Sequence, residues 1–533
     1  MESCSSLKEI ITFQVGNYSN FVGAHYWNLQ EVLLGDGTIE SNTKNELNHD
    51  ILFRKGLNFQ TGQRTCRPRV IAFDLKENVT NLALTDNSLA DDVEETIVWD
   101  GTVEKYDRGS KIEPHTQIQE NSSSSPRNGS TDTTNPYNED IISTWSDFSL
   151  SQFHNKSLQC IESSHNEACG SFGNFGSGEA LFKSPKFRDE FEDRLHFFAE
   201  ECDRLQGFQI FTDIHNGFAG LTSKILLDLA DDYAKKSQLC FAMMPAMFED
   251  DTRHTLDLAM LNILLSFGKY VDAGCQVVPL SLRDSYGLRG KMVEFPCIDY
   301  KGNSNYHTSA IVASAIDTAT LPYRLKDNQS SDLNTLVNNL SYGGRKISAV
   351  SLGLPIPVNS TLSLNDLLKG AMDYIIPLTP DTGRPENILT QTSVVRGIPT
   401  HLLKTESYQY MEKQISTLFQ YNSSLGNICP TYIAQTPCKV TRPFPEIFKP
   451  SVTQVGCVIE NYERPIETRV EKTSVMASLI NCADLAKPLE VLLGGTNKAN
   501  VMKYPGFLEA GIEQPDLESC REDIRILSQN YQL

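Results

Sequence analysis

Residues 205–227 constrain the fold most. A short, largely apolar run, Phe208 to Ile214, leads directly into a helical repeat. Gly217 and Gly220 stand at the junction, and Leu221, Ile225, Leu229 and Tyr233 follow at four-residue steps. That spacing keeps one helix face apolar. The stretch therefore reads as buried strand, glycine-containing turn and helix. Free N–H groups at the start of such a helix point forward, so the turn is a common place to hold a phosphate. A long helix precedes it, with Phe187, Phe191, Leu195, Phe198, Cys202 and Leu205 at three- and four-residue steps behind Pro185.

The N-terminal end repeats the pattern. Glu9 to Val15 reads as a strand ended by Gly16. Ser19 or Asn20 is the expected cap of the next helix, whose apolar face is Val22, Tyr26, Leu29 and Leu33. A second strand, Arg69 to Phe73, ends at Asp74-Leu75. This β-α-β order predicts an α/β sheet domain. Further strands are expected at 238–244 and 276–280, with helices at 256–267 and 309–321. From Lys346 the elements mix among Pro355, Pro357, Pro377 and Pro380. The predicted organisation is an α/β domain over 1–285, a connecting helical region over 286–345, and a smaller α+β domain over 346–533. The last segment reads as a helix with Leu517, Cys520, Ile524 and Leu527 on one side. Residues 104–138 contain a serine-rich run and few apolar residues. They read as a disordered surface insertion, with proteolysis expected first near Gln119 to Asn135.

Net charge is -20, from 67 acidic against 47 basic residues. That argues against a general nucleic-acid binder, which needs a basic surface. The 13 cysteines are scattered. They form no CxxC pair and no zinc spacing, so reduced cysteines and no metal are expected. The start has neither a basic-then-apolar signal nor an Arg-rich presequence. No run approaches the roughly 18 apolar residues of a membrane span. Membrane association, if present, is expected to be peripheral.

Several motifs carry a family resemblance. Val15-Gly16, Asn20, Gly23 and Trp27 resemble the opening of tubulins. So do Pro68-Arg69 through Asp74-Leu75, and Leu205-Gln206-Gly207-Phe208-Gln209. The misato family, a divergent branch of the tubulin/FtsZ superfamily, is the closer match. Its traits here are Trp99-Asp100-Gly101, Trp145-Ser146-Asp147-Phe148, Glu192-Asp193-Arg194-Leu195-His196-Phe197, Glu200-Glu201-Cys202-Asp203, and Asp317-Thr318-Ala319-Thr320-Leu321-Pro322-Tyr323-Arg324. The resemblance implies a tubulin/FtsZ-like nucleotide-binding-type domain followed by a smaller α+β domain. It implies a role in mitochondrial distribution and morphology, at the cytosolic face of the outer membrane and in the cytoplasm. It also implies a link to spindle microtubules and chromosome segregation. The implied partners are proteins: tubulin or its folding machinery, and a mitochondrial surface receptor.

The resemblance also places a nucleotide site, in vestigial form, at Gly16, Asn17, Asn20, Gly217, Gly220 and Tyr306. The GGGTGSG phosphate loop of tubulin-like GTPases falls on His215 to Leu221, where only Gly217 matches a glycine. Tyr306 takes the place of a base platform, but Ala310 replaces an amide that would read guanine. Asp332 matches the hydrolysis-activating loop, while Thr335 stands near its catalytic acid and cannot activate water as a carboxylate would. Each residue also has a plainer role. Gly16 and Asn17 can close a turn, as can Gly217 and Gly220. His215 can be a surface or turn residue, Tyr306 a packing residue, and Asp332 a helix N-cap. The preferred expectation is a non-catalytic tubulin-like protein with no catalytic residue. The alternative is a GTP-binding, nucleotide-switched assembly protein. GTP is the one cofactor the resemblance offers.

Overall fold

The computed structural model describes residues 8–35, 46–57, 64–79, 139, 142–162, 172–248, 252–287, 290–326, 330–358, 364–385, 387–398, 402, 407–420, 429–497, 499 and 501–532. The insertion expected at 104–138 lies outside them.

Six parallel strands form the larger sheet: β1 (Glu9–Val15), β2 (Val70–Leu75), β3 (Leu158–Ile161), β4 (Leu205–Asp213), β5 (Ser237–Met243) and β6 (Gln276–Leu280). Their spatial order is β3-β2-β1-β4-β5-β6. Phe13 of β1 sits opposite Ile71 on one side and Ile210 on the other. Both faces of this sheet are covered, which explains why β1 and β4 are buried along nearly their whole length, Thr12 and Gln14 included. The chain works outward from β1 to β3 on one side, then returns to lay β4 against β1. That reversal opens a crevice at the carboxyl ends of β1 and β4, the usual ligand position in open α/β sheets.

Helices α1 (Asn17–Gly35) and α6 (Asn305–Ala319) cover one face, with Tyr26, Trp27, Ile311 and Ile316 packed against Phe211, Phe241 and Val278. The other face carries α2 (Phe175–Phe182), α3 (Pro185–Glu200), α4 (Gly217–Asp232) and α5 (Arg253–Asp272). Every residue of α6 from Tyr306 to Ala319 is buried, polar ones such as Ser309, Ser314 and Asp317 included, so it is enclosed all round rather than on one stripe.

A short helix α7 (Leu333–Leu340) leads to a second sheet of five strands. These are β7 (Ala349–Gly353), β8 (Ile375–Pro377), β9 (Ile388–Arg396), β10 (Thr431–Ala434) and β11 (Val475–Cys482), in the order β8-β7-β11-β9-β10. All pairs are antiparallel except β9 with β10. Helices α8 (Leu364–Ala371) and α9 (Tyr408–Gln420) belong to this part, and α10 (Ala486–Thr496), α11 (Pro505–Glu509) and α12 (Gln514–Tyr531) end the chain. On α12, Leu517, Cys520, Ile524 and Leu527 all face the core, as their spacing predicts.

Three element ends differ from the sequence reading. Helix α1 begins at Asn17, so Ser19 and Asn20 lie in its first turn rather than before it. Helix α3 stops at Glu200, and Leu205 already pairs with Glu9 in the sheet. The Glu9 carboxylate turns the chain there by accepting from Asp203 N (3.3 Å) and Arg204 N (2.9 Å). Tyr233 follows α4 as its C-cap, outside the helical conformation.

Candidate functional site

The crevice at the ends of β1 and β4 is flanked by Gly16 and the starts of α1 and α4, which together carry five of the six expected site residues. Gly16 ends β1 with φ +115°, a conformation open to glycine. A Cβ there would lie 2.5 Å from Asp213 Oδ2. Asp213 ends β4 and fills the space in front of α1. Its carboxyl group accepts from Ser19 N (2.8 Å) and Tyr18 N (3.1 Å). These are helix-start N–H groups, the donors that would otherwise face an anion. Burial pushes the Asp213 carboxyl up to about 8, and the nearby charge of Asp74 adds to the rise against the two N–H bonds.

Asn20 does not point to a ligand donor. Its Nδ2 donates to Phe73 O (2.9 Å) and Asp74 Oδ2 (3.0 Å), binding the first turn of α1 to the end of β2. Asp74 also accepts from Trp145 Nε1 (2.8 Å), so two of the family motifs meet in one buried contact. Burial raises the Asp74 carboxyl as well. Asn17 is half-buried at the mouth, and its Oδ1 is buried without a hydrogen-bond partner among the described residues.

The start of α4 is also closed. Gly217 N donates to Phe172 O (2.8 Å), Phe218 N to Asn216 Oδ1 (3.0 Å) and Ala219 N to Asn216 O (3.2 Å). The Phe172 ring stacks edge-on against Phe218 at 4.8 Å. Phe172 holds φ +40°, a left-handed conformation that costs a non-glycine residue about 1–2 kcal/mol. Asn262 of α5 holds this covering segment down: its Nδ2 donates to Gly173 O (3.0 Å) and His215 O (2.7 Å), and its Oδ1 accepts from Phe175 N (2.9 Å).

Gly217 and Gly220 are glycines for packing. A Cβ on Gly217 would lie 2.7 Å from Phe172 O, and one on Gly220 would lie 1.8 Å from Phe175 O. Gly178 completes the contact from α2, where a Cβ would lie 1.9 Å from Gly217 O. The three glycines let α2 and α4 touch backbone to backbone. His215 sits at the rim with its ring 5.5 Å from Phe248, and desolvation favours its neutral form.

Tyr306 lies apart from the crevice residues, at the start of α6. It is buried, and its hydroxyl donates to Pro443 O. Its ring packs on Phe148 (4.9 Å) and His25 (5.1 Å). Packing explains its burial, and Tyr306 also lines the cleft next to it. Beside it lies a polar cleft of about 380 Å³ lined by Phe21, Glu139, Ser143, Lys301, Asn303 and His307. The His307 ring meets Glu139 Oε2 at 3.0 Å across it. Asp332 caps α7 by accepting from Thr335 N (2.8 Å) and pairs with Lys8 (3.1 Å).

These residues do not fit a nucleotide triphosphate. A phosphate would meet a carboxyl group at α1 and a carbonyl oxygen at α4, both already bonded to the required donors. Among the described residues, no cluster of three or more His, Cys, Asp or Glu is placed to hold a metal ion. Sequence reading missed Phe172, Asn174–Gly178, Asp213 and Asn262. The glycine-rich stretch ending at Gly178 and the acidic end of the β4 strand were the available signals.

Comparison with known proteins agrees with this architecture. Residues 8–136 match the misato segment II tubulin-like domain, and residues 134–325 match a tubulin domain. Protein misato homolog 1 of Bos taurus is 31% identical over 98% of both chains. Protein misato of Drosophila melanogaster is 26% identical over 97% of both. Protein DML1 of Gibberella zeae is 31% identical over 64% of this chain and 66% of its own. With this identity along nearly the whole length, and with tubulin-like domains on a parallel sheet, the chain belongs to the misato family of tubulin-like proteins.

Proposed function

We propose that this chain is a non-catalytic, tubulin-like scaffold acting in mitochondrial distribution and morphology, with a second role in spindle microtubule organisation and chromosome segregation. One observation carries the non-catalytic part: Asp213 at α1, and Phe172 with Asn216 at α4, use helix-start N–H groups that a nucleotide would need. The mitochondrial and spindle parts rest on the family resemblance of the motifs. A scaffold acts through protein partners, and tubulin or its folding machinery suits a chain of this fold.

The proposed location is the cytosolic face of the mitochondrial outer membrane and the cytoplasm. Among the described residues, no helix is long and apolar enough to cross a membrane. A net charge of -20 is repelled by anionic head groups, so a protein receptor is the favoured anchor. Depletion followed by re-expression tests the role: loss should disturb the mitochondrial network, and the full chain should restore it. An undisturbed network would contradict the reading. Alkaline carbonate should strip the protein from isolated mitochondria, and resistance to it would rule out peripheral attachment.

A further inference from the structure

The loop block between β10 and β11 is pinned firmly on one side and bare on the other. Phe444, Ile447, Phe448, Val452 and Val470 are buried in the core that also holds α1 and α6. The Arg464 guanidinium, only 7% exposed, donates to Val452 O (2.9 Å), Phe448 O (3.1 Å) and Glu446 Oε1 (2.6 Å). Arg469 donates to Phe444 O (3.0 Å) and pairs with Glu446 at 2.6 Å. Backbone bonds tie Thr453 N to Cys457 O, Glu471 N to Gln454 O, Ile459 N to Ser451 O and Arg464 N to Pro450 O. Gly456, at φ +81°, lies so close to Lys472 O that a Cβ would stand 2.3 Å from it.

This framework holds three aliphatic side chains in water. Val455 is 55% exposed, Ile459 41% and Ile466 103%. A loose loop could fold such groups onto the body; one stapled by two arginines cannot. The three belong to one hydrogen-bonded block, and apolar groups exposed in one patch, unlike single ones, mark interaction sites. Acidic side chains stand among and beside them. Glu460, Glu463 and Glu467 are exposed and make no ion pair among the described residues. Arg464 and Arg469 face internal carbonyls and Glu446, and among the described residues 453–472 Lys472 is the exposed cation.

We propose that residues 453–467 are a docking surface for a partner protein that presents an apolar pocket rimmed by lysine and arginine. The aliphatic tips would fill the pocket, and the three glutamates would face the basic rim. The pinned framework limits the ordering cost of binding. The same carboxylates disfavour an anionic lipid surface, and they disfavour a symmetric contact between two copies, which would set like charges against each other. This surface lies outside the crevice and stands whether or not the crevice takes a nucleotide.

The test is site-specific photo-crosslinking of the full chain in cells, with the photo-reactive residue at position 466 and a control at the half-exposed Ile526 on α12. The captured protein is identified, purified and titrated against the wild type, Ile466→Ser, Ile526→Ser and the triple variant Glu460→Lys, Glu463→Lys, Glu467→Lys. The expected result is a position-466 crosslink to a peptide flanked by lysine or arginine. Affinity should fall about tenfold or more in Ile466→Ser and in the triple variant, weaken with salt, and stay unchanged in Ile526→Ser. No crosslink beyond the position-526 control would overturn the proposal. So would crosslinking to a second copy of this chain, binding of the purified chain to anionic vesicles through Ile466, or equal affinity for all four proteins.

Discussion

The Asp213 carboxyl group sits 2.8 Å from the backbone N–H of Ser19, so the end of one strand caps the helix that grows from its neighbour. The chain thus supplies its own acceptor at the place where the topology would seat a ligand. That contact has a pH signature. The buried carboxyl titrates near 8 in the folded chain against an ordinary value of 3.8. Between those values the folded state holds a proton that the unfolded state has released. Its contribution to stability is therefore complete below about pH 4 and is lost as pH rises through about 8.

Asp213→Asn removes that titration. Urea unfolding at intervals between about pH 5 and pH 8 should show the wild type losing stability with rising pH more steeply than the variant. The amide keeps one acceptor for Ser19 N but cannot serve both N–H groups, so the variant should lose about 1 kcal/mol at the acidic end. Parallel curves would show that Asp213 does not titrate in this range.

Gly178→Ala should separate α2 from α4. Its Cβ would stand 1.9 Å from Gly217 O, and backbone on both sides leaves nothing soft to move. A loss of roughly 2–3 kcal/mol is expected from such overpacking. Gly494→Ala on α10 is the matched control, with nothing within 4 Å of the new Cβ. It should stabilise by about 0.5–1 kcal/mol through helix propensity. Thermal melts of the two variants should move in opposite directions.

Asp317 joins α6 to the second sheet. Its carboxylate lies 2.9 Å from Arg324 Nη2 and 2.5 Å from Arg396 Nη1, and all three side chains are buried. Asp317→Ala leaves two guanidinium groups without their counter-charge and should cost about 3–5 kcal/mol. Conservative packing does not replace it, so Asp317→Leu should be no better. A melting temperature within error of the wild type in either variant would count against this account of the joint.

Asp332 should behave as a cap. Asp332→Ala should cost about 1 kcal/mol, the usual value for losing an N-cap. The half-exposed Lys8 pair adds little. Asp332→Asn or Asp332→Ser, which keep a capping oxygen, should recover most of the loss in a denaturant titration.

The helices and strands were legible where periodicity is strong. β1, β4, the buried face of α12 and the cap at Asp332 follow from side-chain pattern alone. The closure of the crevice was not legible, for physical reasons. Phe172 acts through its carbonyl oxygen, which every residue possesses. Asp213 acts on two backbone N–H groups more than 190 positions away. Gly178 is explained only by Gly217 and Gly220, and no local signal links them. Trp145 and Asp74 were each visible in a motif, but their contact appeared only in the folded chain. The ends of α1, α3 and α4 shifted because sheet pairing and a carboxylate cap decided them, not helix periodicity.

Isothermal titration of the purified full chain with GTP, with and without magnesium, tests the central claim most directly. If Asp213 and Phe172 hold the helix-start N–H groups, no saturable heat should appear at any practical GTP concentration, and GTP should not raise the melting temperature. Saturable, magnesium-dependent binding in the micromolar range would contradict the closed crevice and restore the nucleotide-switched reading.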